Sequence, residues 1–405
     1  MNPIQSMDKC TTCTTCVASC PVTRAAQKYR GPKLTGPAFE RFRLLHSTLP
    51  GPQDEIEGLD YCSNCKNCDI VCPSGVNIST LNMLARAEWC RKHKPSRRDW
   101  LLAHGTQFGV LARLFPNLLV RMGFKNPVTR QTLDLLGISR HMTLPVFAHR
   151  SFRQLFNAHP EPEDAAKEVI FFPGCYIEHY DPQPGMDLVY FLERAGYRVL
   201  VPELGCCGVP LIANGFMDEA AMAAERNTKI LAALSSSEDK GLPILTLCSS
   251  CALMLAQEYG EFFPNLTNAQ KISPRIEDAS EFLINLIENG ELNIKPTRNT
   301  ERLIYHAPCH LRAMGIGKPG LELLRMAGAN IEDAQAGCCG LSGSYGFKKE
   351  KYAIAAAIGH DLFQAVADSG ATQVISDCGT CRLQISHHTG VPAIHPVSRL
   401  RALID

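Results

Sequence analysis

The chain has 405 residues, too many for a single core and enough for two to four domains. Lys and Arg (41) nearly balance Asp and Glu (40), so a net charge of +1 argues neither for nor against nucleic acid, and no uncharged apolar run of about 18 residues is present to span a membrane. A hydrophobic fraction of 45% and a charged fraction of 20% are those of a globular protein, but nineteen cysteines are not.

The first cysteines come as Cys10-Thr-Thr-Cys13-Thr-Thr-Cys16-Val-Ala-Ser-Cys20-Pro21, and recur as Cys62-Ser-Asn-Cys65-Lys-Asn-Cys68-Asp-Ile-Val-Cys72-Pro73. Both read C-x2-C-x2-C-x3-C-P, the bacterial ferredoxin spacing, in which the fourth cysteine ligates the other cluster. The expected ligand sets are therefore crossed: Cys10, Cys13, Cys16 and Cys72 for one [4Fe–4S] cluster, Cys62, Cys65, Cys68 and Cys20 for the second. Pro21 and Pro73 fix φ and turn the chain after the last ligand. Structural zinc is the plain alternative, but a zinc ribbon needs only two C-x2-C pairs, not four cysteines twice over. Asp8 and Lys9 leave no room for the apolar core of a signal peptide, so the expected compartment keeps thiols reduced.

Residues 1–95 are expected to form this two-cluster domain, small and mainly helical. A turn-rich Gly31-Pro32-Lys33-Leu34-Thr35-Gly36-Pro37 leads to a short helix at 39–45, and Leu81, Leu84, Ala85 and Glu88 mark a helix at 78–90. Clusters would replace much of its core, so removing iron should unfold it.

Residues 96–165 are expected to be a basic amphipathic helical linker. Residues 91–153 hold twelve Lys and Arg against two Asp and no Glu. Leu101, Phe108, Leu111, Phe115, Leu118 and Met122 recur at helical spacing, with a break or kink at Pro116. Trp100, Phe108, Phe115 and Phe124 lie among Arg97, Arg98, Arg113, Arg121 and Lys125. The pattern suits a helix lying in a membrane interface, or one packed on a neighbouring domain or subunit.

Two further domains are expected at 166–295 and 296–405, because the cysteines repeat. Cys175, Cys206-Cys207-Gly208 and Cys248-x-x-Cys251 are separated by 31, 1, 41 and 3 residues; Cys309, Cys338-Cys339-Gly340 and Cys378-x-x-Cys381 by 29, 1, 39 and 3. Cys90 is left over and reads as a buried free thiol. Strands are expected at Val169-Ile170-Phe171-Phe172, at 197–201, at Ile244-Leu245-Thr246-Leu247, at Leu303-Ile304-Tyr305 and at Val374-Ile375-Ser376, with helices between them at 219–234 and 350–367. This β-α-β alternation predicts parallel sheets, whose sites form at the carboxyl ends of strands. Each cysteine group follows a strand, so five thiols should meet at one sheet edge, one more than a cubane needs. A cubane with a spare thiol, an unusual cluster and a redox-active thiol site all remain open. Gly208, Gly340, Gly343 and Gly346 would let backbone N–H groups approach sulfur, or simply make turns. His306 and His310 flank Cys309 as candidate proton donors near neutrality, or as strand-end hydrogen-bonders, and Lys348 and Lys349 would offset cluster charge or start a solvated helix.

The whole chain resembles the iron–sulfur subunits built from a ferredoxin-type domain and two CCG domains, a group that includes the glycolate oxidase and lactate-utilisation iron–sulfur proteins and heterodisulfide reductase subunits. Gly31-Pro32-Lys33, Tyr61-Cys62-Ser63-Asn64-Cys65-Lys66, Cys206-Cys207-Gly208-Val209-Pro210-Leu211-Ile212-Ala213-Asn214-Gly215-Phe216 and Tyr345-Gly346-Phe347-Lys348-Lys349-Glu350 are most similar to the iron–sulfur subunits of anaerobic glycerol-3-phosphate dehydrogenases. The resemblance implies a multidomain α+β fold: the two-[4Fe-4S] domain followed by two α/β CCG domains with parallel sheets. It implies an electron-transfer subunit with no catalytic residues of its own, taking electrons from flavoprotein subunits to quinone. It further implies peripheral attachment at the cytoplasmic face of the inner membrane, where the protein helps to anchor the complex, and allows two noncubane [4Fe-4S] clusters on the five-cysteine sets.

Competing readings are a subunit serving glycolate or lactate oxidation, a heterodisulfide-reductase-like thiol/disulfide enzyme, and a scaffold with structural clusters. The last leaves the five-cysteine repeats unexplained. Neither a Rossmann fingerprint nor a P-loop is present, so flavin and sugar phosphate are expected to bind elsewhere.

Overall fold

The computed structural model describes residues 3–38, 58–107, 123, 126–162, 165–234, 241–296 and 299–404. Among them, strands β1 (Lys167–Phe172), β2 (Tyr197–Leu200), β3 (Ile244–Thr246) and β4 (Ile276–Asp278) form one sheet in the order β2-β1-β3-β4. Strands β5 (Leu303–Tyr305), β6 (Ile331–Asp333), β7 (Gln373–Ile375) and β8 (Ala393–Ile394) form a second in the order β6-β5-β7-β8. Every pairing is parallel. The architecture is therefore the expected multidomain α+β fold, a mainly helical domain followed by two α/β repeats.

The central strand β1 shows why both faces must be covered. Val169 and Phe171 face one core, Ile170 and Phe172 the other, and all four are at most 1% exposed. The first of these cores is shared by both repeats. Helices Gln183–Arg194 and Ala279–Glu288 of the first pack against Pro396–Ile404 and Pro319–Met326 of the second, burying Phe191, Leu283, Leu321 and Leu400 together. The opposite face of the first sheet is closed by the helix Met217–Ala233, that of the second by Tyr352–Ser369. These two helices are the ones expected at 219–234 and 350–367.

The helix expected at 78–90 runs Ile78–Lys92 and is buried on more than one side. Leu81 enters the core of the cysteine-motif domain, while Met83 and Ala87 enter the core of the first repeat. One helix thus belongs to two cores. The domain also rests on the second repeat: Ile354 and Ile358 pack on Cys20, Val22, Ala26 and Tyr29, and Lys351 Nζ pairs with Asp60 at 2.6 Å and sits 3.3 Å over the Tyr61 ring. Cys90 is a free buried thiol; a Cβ on Gly215 would come within 2.3 Å of its sulfur.

The basic linker departs in part from its expectation. The helix candidate at 39–45 and most of the stripe (Phe108, Leu111, Phe115, Leu118, Met122, with Arg113, Pro116, Arg121, Phe124 and Lys125) lie outside the described residues. Leu101 falls in a helix Arg97–Ala103, capped by Ser96. Arg98 is not a surface charge awaiting lipid. Its guanidinium donates to both carboxylate oxygens of Glu350, at 2.9 and 2.8 Å, which ties the linker to the second repeat. Trp100 remains 43% exposed, and the described helix Pro127–Leu135 buries no residue and leaves Val128 and Leu135 exposed, as is Leu136 just after it. None of the described helices is long and apolar enough to cross a membrane.

Candidate functional site

In both four-cysteine motifs the second and fourth residues after the first cysteine take left-handed backbone: Thr12 (φ 60°), Thr14 (φ 67°), Asn64 (φ 51°) and Lys66 (φ 62°). None is glycine, so each costs about 1–2 kcal/mol. Turns of this kind gather backbone N–H groups into anion-binding concavities of the sort iron–sulfur sites use. All the cysteines are free thiols.

Cys10, Cys16 and Cys72 share a small core with Met7, Val76, Ile78 and Leu81. The Cys16 thiol is pushed up by burial and then by Cys10, Cys13 and Cys72. Cys20, Cys62, Cys65 and Cys68 line one cavity with Tyr29, Asn64 and Ser79. Burial pushes Cys62 up to about 12, against an Asn64 backbone hydrogen bond, with Cys20 adding to the rise; Cys68 is raised by burial, then by Asp69, Cys62, Cys65 and Cys20. The fourth cysteine of each motif therefore stands with the first three of the other.

The sheet order sets up the two five-cysteine groups. Each sheet reverses direction of winding between its two central strands, which opens a crevice at their carboxyl ends. Cys175 follows β1, Cys206 and Cys207 follow β2, and Cys248 and Cys251 follow β3; Cys309, Cys338, Cys339, Cys378 and Cys381 occupy the matching places after β5, β6 and β7. In the first group Cys251 Sγ donates to Cys207 Sγ at 3.4 Å. In the second Cys339 Sγ donates to Cys381 Sγ at 3.2 Å. Such separations are too long for a disulfide, about 2.05 Å, and short enough for two thiolates to share a metal centre.

The electrostatics are mirrored. Cys206 is held well below the usual thiol range by hydrogen bonds from Cys175 and Cys207, against burial, with help from the Gly208 amide and His179. Cys338 is lowered in the same way by Cys309 and Cys339, against burial, with help from the Gly340 amide. A hydrogen bond from Cys381 brings Cys378 down to about 5, against burial and with help from Thr380. In each Cys-Cys pair the first thiol is thus the one whose neighbours favour the thiolate, the form that binds metal.

The glycines divide in their roles. Gly340 takes φ +88° and its N–H donates to Cys338 Sγ at 3.4 Å; a Cβ there would meet Ala355 O at 2.0 Å. Gly346 donates instead to Leu341 O, and Gly343 takes a left-handed turn, so these two shape the loop rather than approach sulfur.

The Cys62–Cys68 loop is wedged between the repeats. His310 Nε2–H donates to Asn64 O at 2.9 Å, and its Nδ1 accepts from Ser250 Oγ at 2.8 Å. Ser342 Oγ donates to Ser63 O, and Asn64 Nδ2 to Glu258 Oε1 at 3.2 Å. Lys66 Nζ lies 2.8 Å from Glu258, 3.7 Å from Glu261 and 3.9 Å from Asp69. Burial alone would lower Lys66, but these carboxylates outweigh it and hold it well above its usual range. Cys65 is raised by burial and then by Cys338, and Cys309 is raised by its hydrogen bond with Cys338, then by burial, with Cys65 adding to the rise. At the seam between the repeats lies Tyr176, raised to about 12 by burial, with Cys248 and Cys378 both adding to the rise. The Arg382 guanidinium sits 5.6 Å over its ring and bonds Asp181 at 2.5 Å.

Lys66, Tyr176 and Arg382 carry no signal in the sequence beyond their place next to cysteines. His310 uses both ring nitrogens to dock the loop, the structural role offered for it. His306 is held down at about 4 by burial, which keeps its imidazole neutral near pH 7 and does not suit a proton donor working there. Lys348 is not a solvated helix start: it is 5% exposed and pairs with Asp99 at 2.7 Å, whereas Lys349 is exposed and pairs with Asp134. The donor sets fit thiolate-ligated iron: free thiols from separate elements converge, backbone amides point at sulfur, and the buried His306 ring has neither nitrogen bonded.

Comparison with known proteins agrees. The profile of a 4Fe-4S dicluster domain matches residues 6–76, and that of a cysteine-rich domain matches twice, at 169–256 and 303–386. The chain is 37% identical over 400 residues to a subunit of the anaerobic glycerol-3-phosphate dehydrogenase of Escherichia coli strain K12, covering 98% of each chain. It is 28% identical over 397 residues to a subunit of the fumarate reductase (CoM/CoB) of Methanothermobacter marburgensis, covering 93% of this chain and 67% of that one. It is 26% identical over 346 residues to the glycolate oxidase iron-sulfur subunit of Escherichia coli strain K12, covering 83% and 79%.

Proposed function

The chain belongs to the family of iron–sulfur subunits of anaerobic glycerol-3-phosphate dehydrogenase, with a 4Fe-4S dicluster domain ahead of two cysteine-rich domains, and from that premise we propose that it conducts electrons from a flavoprotein oxidising glycerol 3-phosphate to membrane quinone. The observation that carries this reading is the docking of the Cys62–Cys68 loop on the second repeat, where His310 Nε2–H donates to Asn64 O at 2.9 Å and Ser342 Oγ donates to Ser63 O.

A bound iron–sulfur cluster supplies one-electron exchange, which matches a two-electron flavin to a two-electron quinone. The residues supply the rest. Cys10, Cys13, Cys16 and Cys72 are proposed to hold one cluster and Cys62, Cys65, Cys68 and Cys20 the second. The sets Cys175, Cys206, Cys207, Cys248, Cys251 and Cys309, Cys338, Cys339, Cys378, Cys381 are proposed to hold noncubane clusters. Cys13 is exposed, which suits a surface where a flavoprotein docks, whereas Cys207, Cys251 and the last four cysteines of the second set are buried away from water. Tyr176 of the first repeat packs so closely on Gly379 of the second that a Cβ there would meet its ring at 2.2 Å. Lys66 and its carboxylates fix the loop on which Cys62, Cys65 and Cys68 are strung.

Peripheral membrane attachment belongs to the same proposal. Exposed Trp100, Val128, Leu135 and Leu136 bracket the sequence that carries Arg113, Arg121 and Lys125. The test is a reconstituted assay in which glycerol 3-phosphate reduces the flavoprotein and a quinone analogue is the acceptor. In a variant with Cys338 and Cys339 changed to Ser, the ferredoxin-type centres should still be reduced while quinone reduction is lost. Undiminished quinone reduction in that variant removes the repeats from the path.

A further inference from the structure

The two repeats differ where their cysteine spacing does not show it. Three residues before the first cysteine of each set stands Phe172 in the first repeat and His306 in the second. Both lie at the carboxyl end of the central strand, and both are 1% exposed. Phe172 packs among apolar neighbours including Ile212 and Ala252. His306 is fixed by its backbone N–H, which donates to Ile375 O at 2.9 Å, yet neither ring nitrogen has a hydrogen-bond partner. One of those nitrogens and the sulfurs of Cys339 and Cys381 all lie within 4.8 Å of one another. A buried donor left unbonded is expensive, and the nearby Cys339 and Cys381 sulfurs would set a sulfur-rich centre within its reach.

We propose that His306 donates a ring N–H hydrogen bond to a sulfur of the iron–sulfur centre held by Cys309, Cys338, Cys339, Cys378 and Cys381, and that this makes the second repeat's centre easier to reduce than the first's. The inference rests on the reading that both five-cysteine sets hold clusters. Five thiolates already exceed what a cubane requires, so the imidazole is not needed as a ligand. A donor to sulfur draws off negative charge and stabilises the reduced state, which carries one electron more. Phe172 has no proton to give, so the first repeat lacks this device. His179, which bears on Cys206, comes from a different element and is partly exposed. The two sites thus share a ligand pattern but not a potential.

The experiment is a redox titration of the full chain, purified without oxygen and followed by electron paramagnetic resonance. His306→Phe, which installs the residue the first repeat tolerates, should keep its iron and move one midpoint to lower potential. Phe172→His should move the other midpoint up. The wild type should also show an exchangeable-proton coupling on the second centre by electron–nuclear double resonance, lost in deuterium oxide and absent from His306→Phe. Unchanged midpoints with full iron content overturn the proposal. So does loss of that centre's iron in His306→Phe, or a strong nitrogen coupling in the wild type, either of which makes His306 a ligand. An iron count showing both five-cysteine sets empty in the wild type overturns instead the reading on which the inference stands, and the inference with it.

Discussion

Replacing Lys66 by Met should loosen the loop that carries three of the ferredoxin-type cysteines. The ammonium is 5% exposed and lies 2.8 Å from Glu258, whose side chain is 1% exposed, with Glu261 and Asp69 within 3.9 Å. Removing one member of a buried pair strands the other, at about 3–5 kcal/mol. Glu258 would keep only its bond from Asn64 at 3.2 Å. With a urea dependence of about 2 kcal/mol per molar, the midpoint for loss of the iron–sulfur absorption should fall by about 2 M. Iron should also pass faster to a chelator. The double variant Lys66→Met, Glu258→Met removes both charges and should recover most of the loss, leaving about 1 kcal/mol for the stranded Asn64 amide. A single variant that unfolds at the wild-type midpoint, or a double variant as weak as the sum of the singles, refutes the reasoning.

Other expectations can be checked on the same protein. Cys72→Ser should abolish the resonance of the centre on Cys10, Cys13 and Cys16, and Cys20→Ser that of the centre on Cys62, Cys65 and Cys68; the reverse pattern breaks the crossed assignment. Gly340→Ala places a Cβ 2.0 Å from Ala355 O at φ +88° and should lower the thermal midpoint, with strain of about 1–3 kcal/mol or more, and empty the second repeat's set of iron. Burial holds Lys348 down at about 8 although Asp99 opposes it, so the unfolded chain keeps the proton longer than the folded one. Stability should then rise as pH climbs from about 8 to about 10.5, by about 3 kcal/mol relative to Lys348→Met; equal pH profiles by thermal melting would contradict this. Leu135→Glu with Leu136→Glu should weaken sedimentation with anionic liposomes several-fold, and unchanged binding would move this face away from lipid.

The cysteine spacing made the chemistry legible because ligands to a cluster must recur at fixed intervals, whatever surrounds them. The inner strands were legible for the same kind of reason. Val169-Ile170-Phe171-Phe172 and Leu303-Ile304-Tyr305 are buried on both faces and so read as unbroken apolar runs. Strands β4, β6 and β8 were not, since all three sit at sheet edges and the first two read Ile-Glu-Asp, too short and too polar to stand out. The role of Arg98 could not be seen either: its partner Glu350 lies 252 residues away. Nor could the docking of Asn64 between Glu258 and His310, which depends on how three cysteine-bearing segments meet rather than on any one of them. His306 was noticed for its position, yet its meaning came from two unbonded nitrogens, a property only the packed core reveals.

The central claim is that four cysteine sets form one conducting line. Its most direct test is an iron and sulfide count on protein purified without oxygen, read with electron paramagnetic resonance after reduction. About sixteen iron per chain, with two cubane signals and two of another type, is the expected result. About eight iron, with the five-cysteine sets empty, would contradict it, because the line would then end at Cys65.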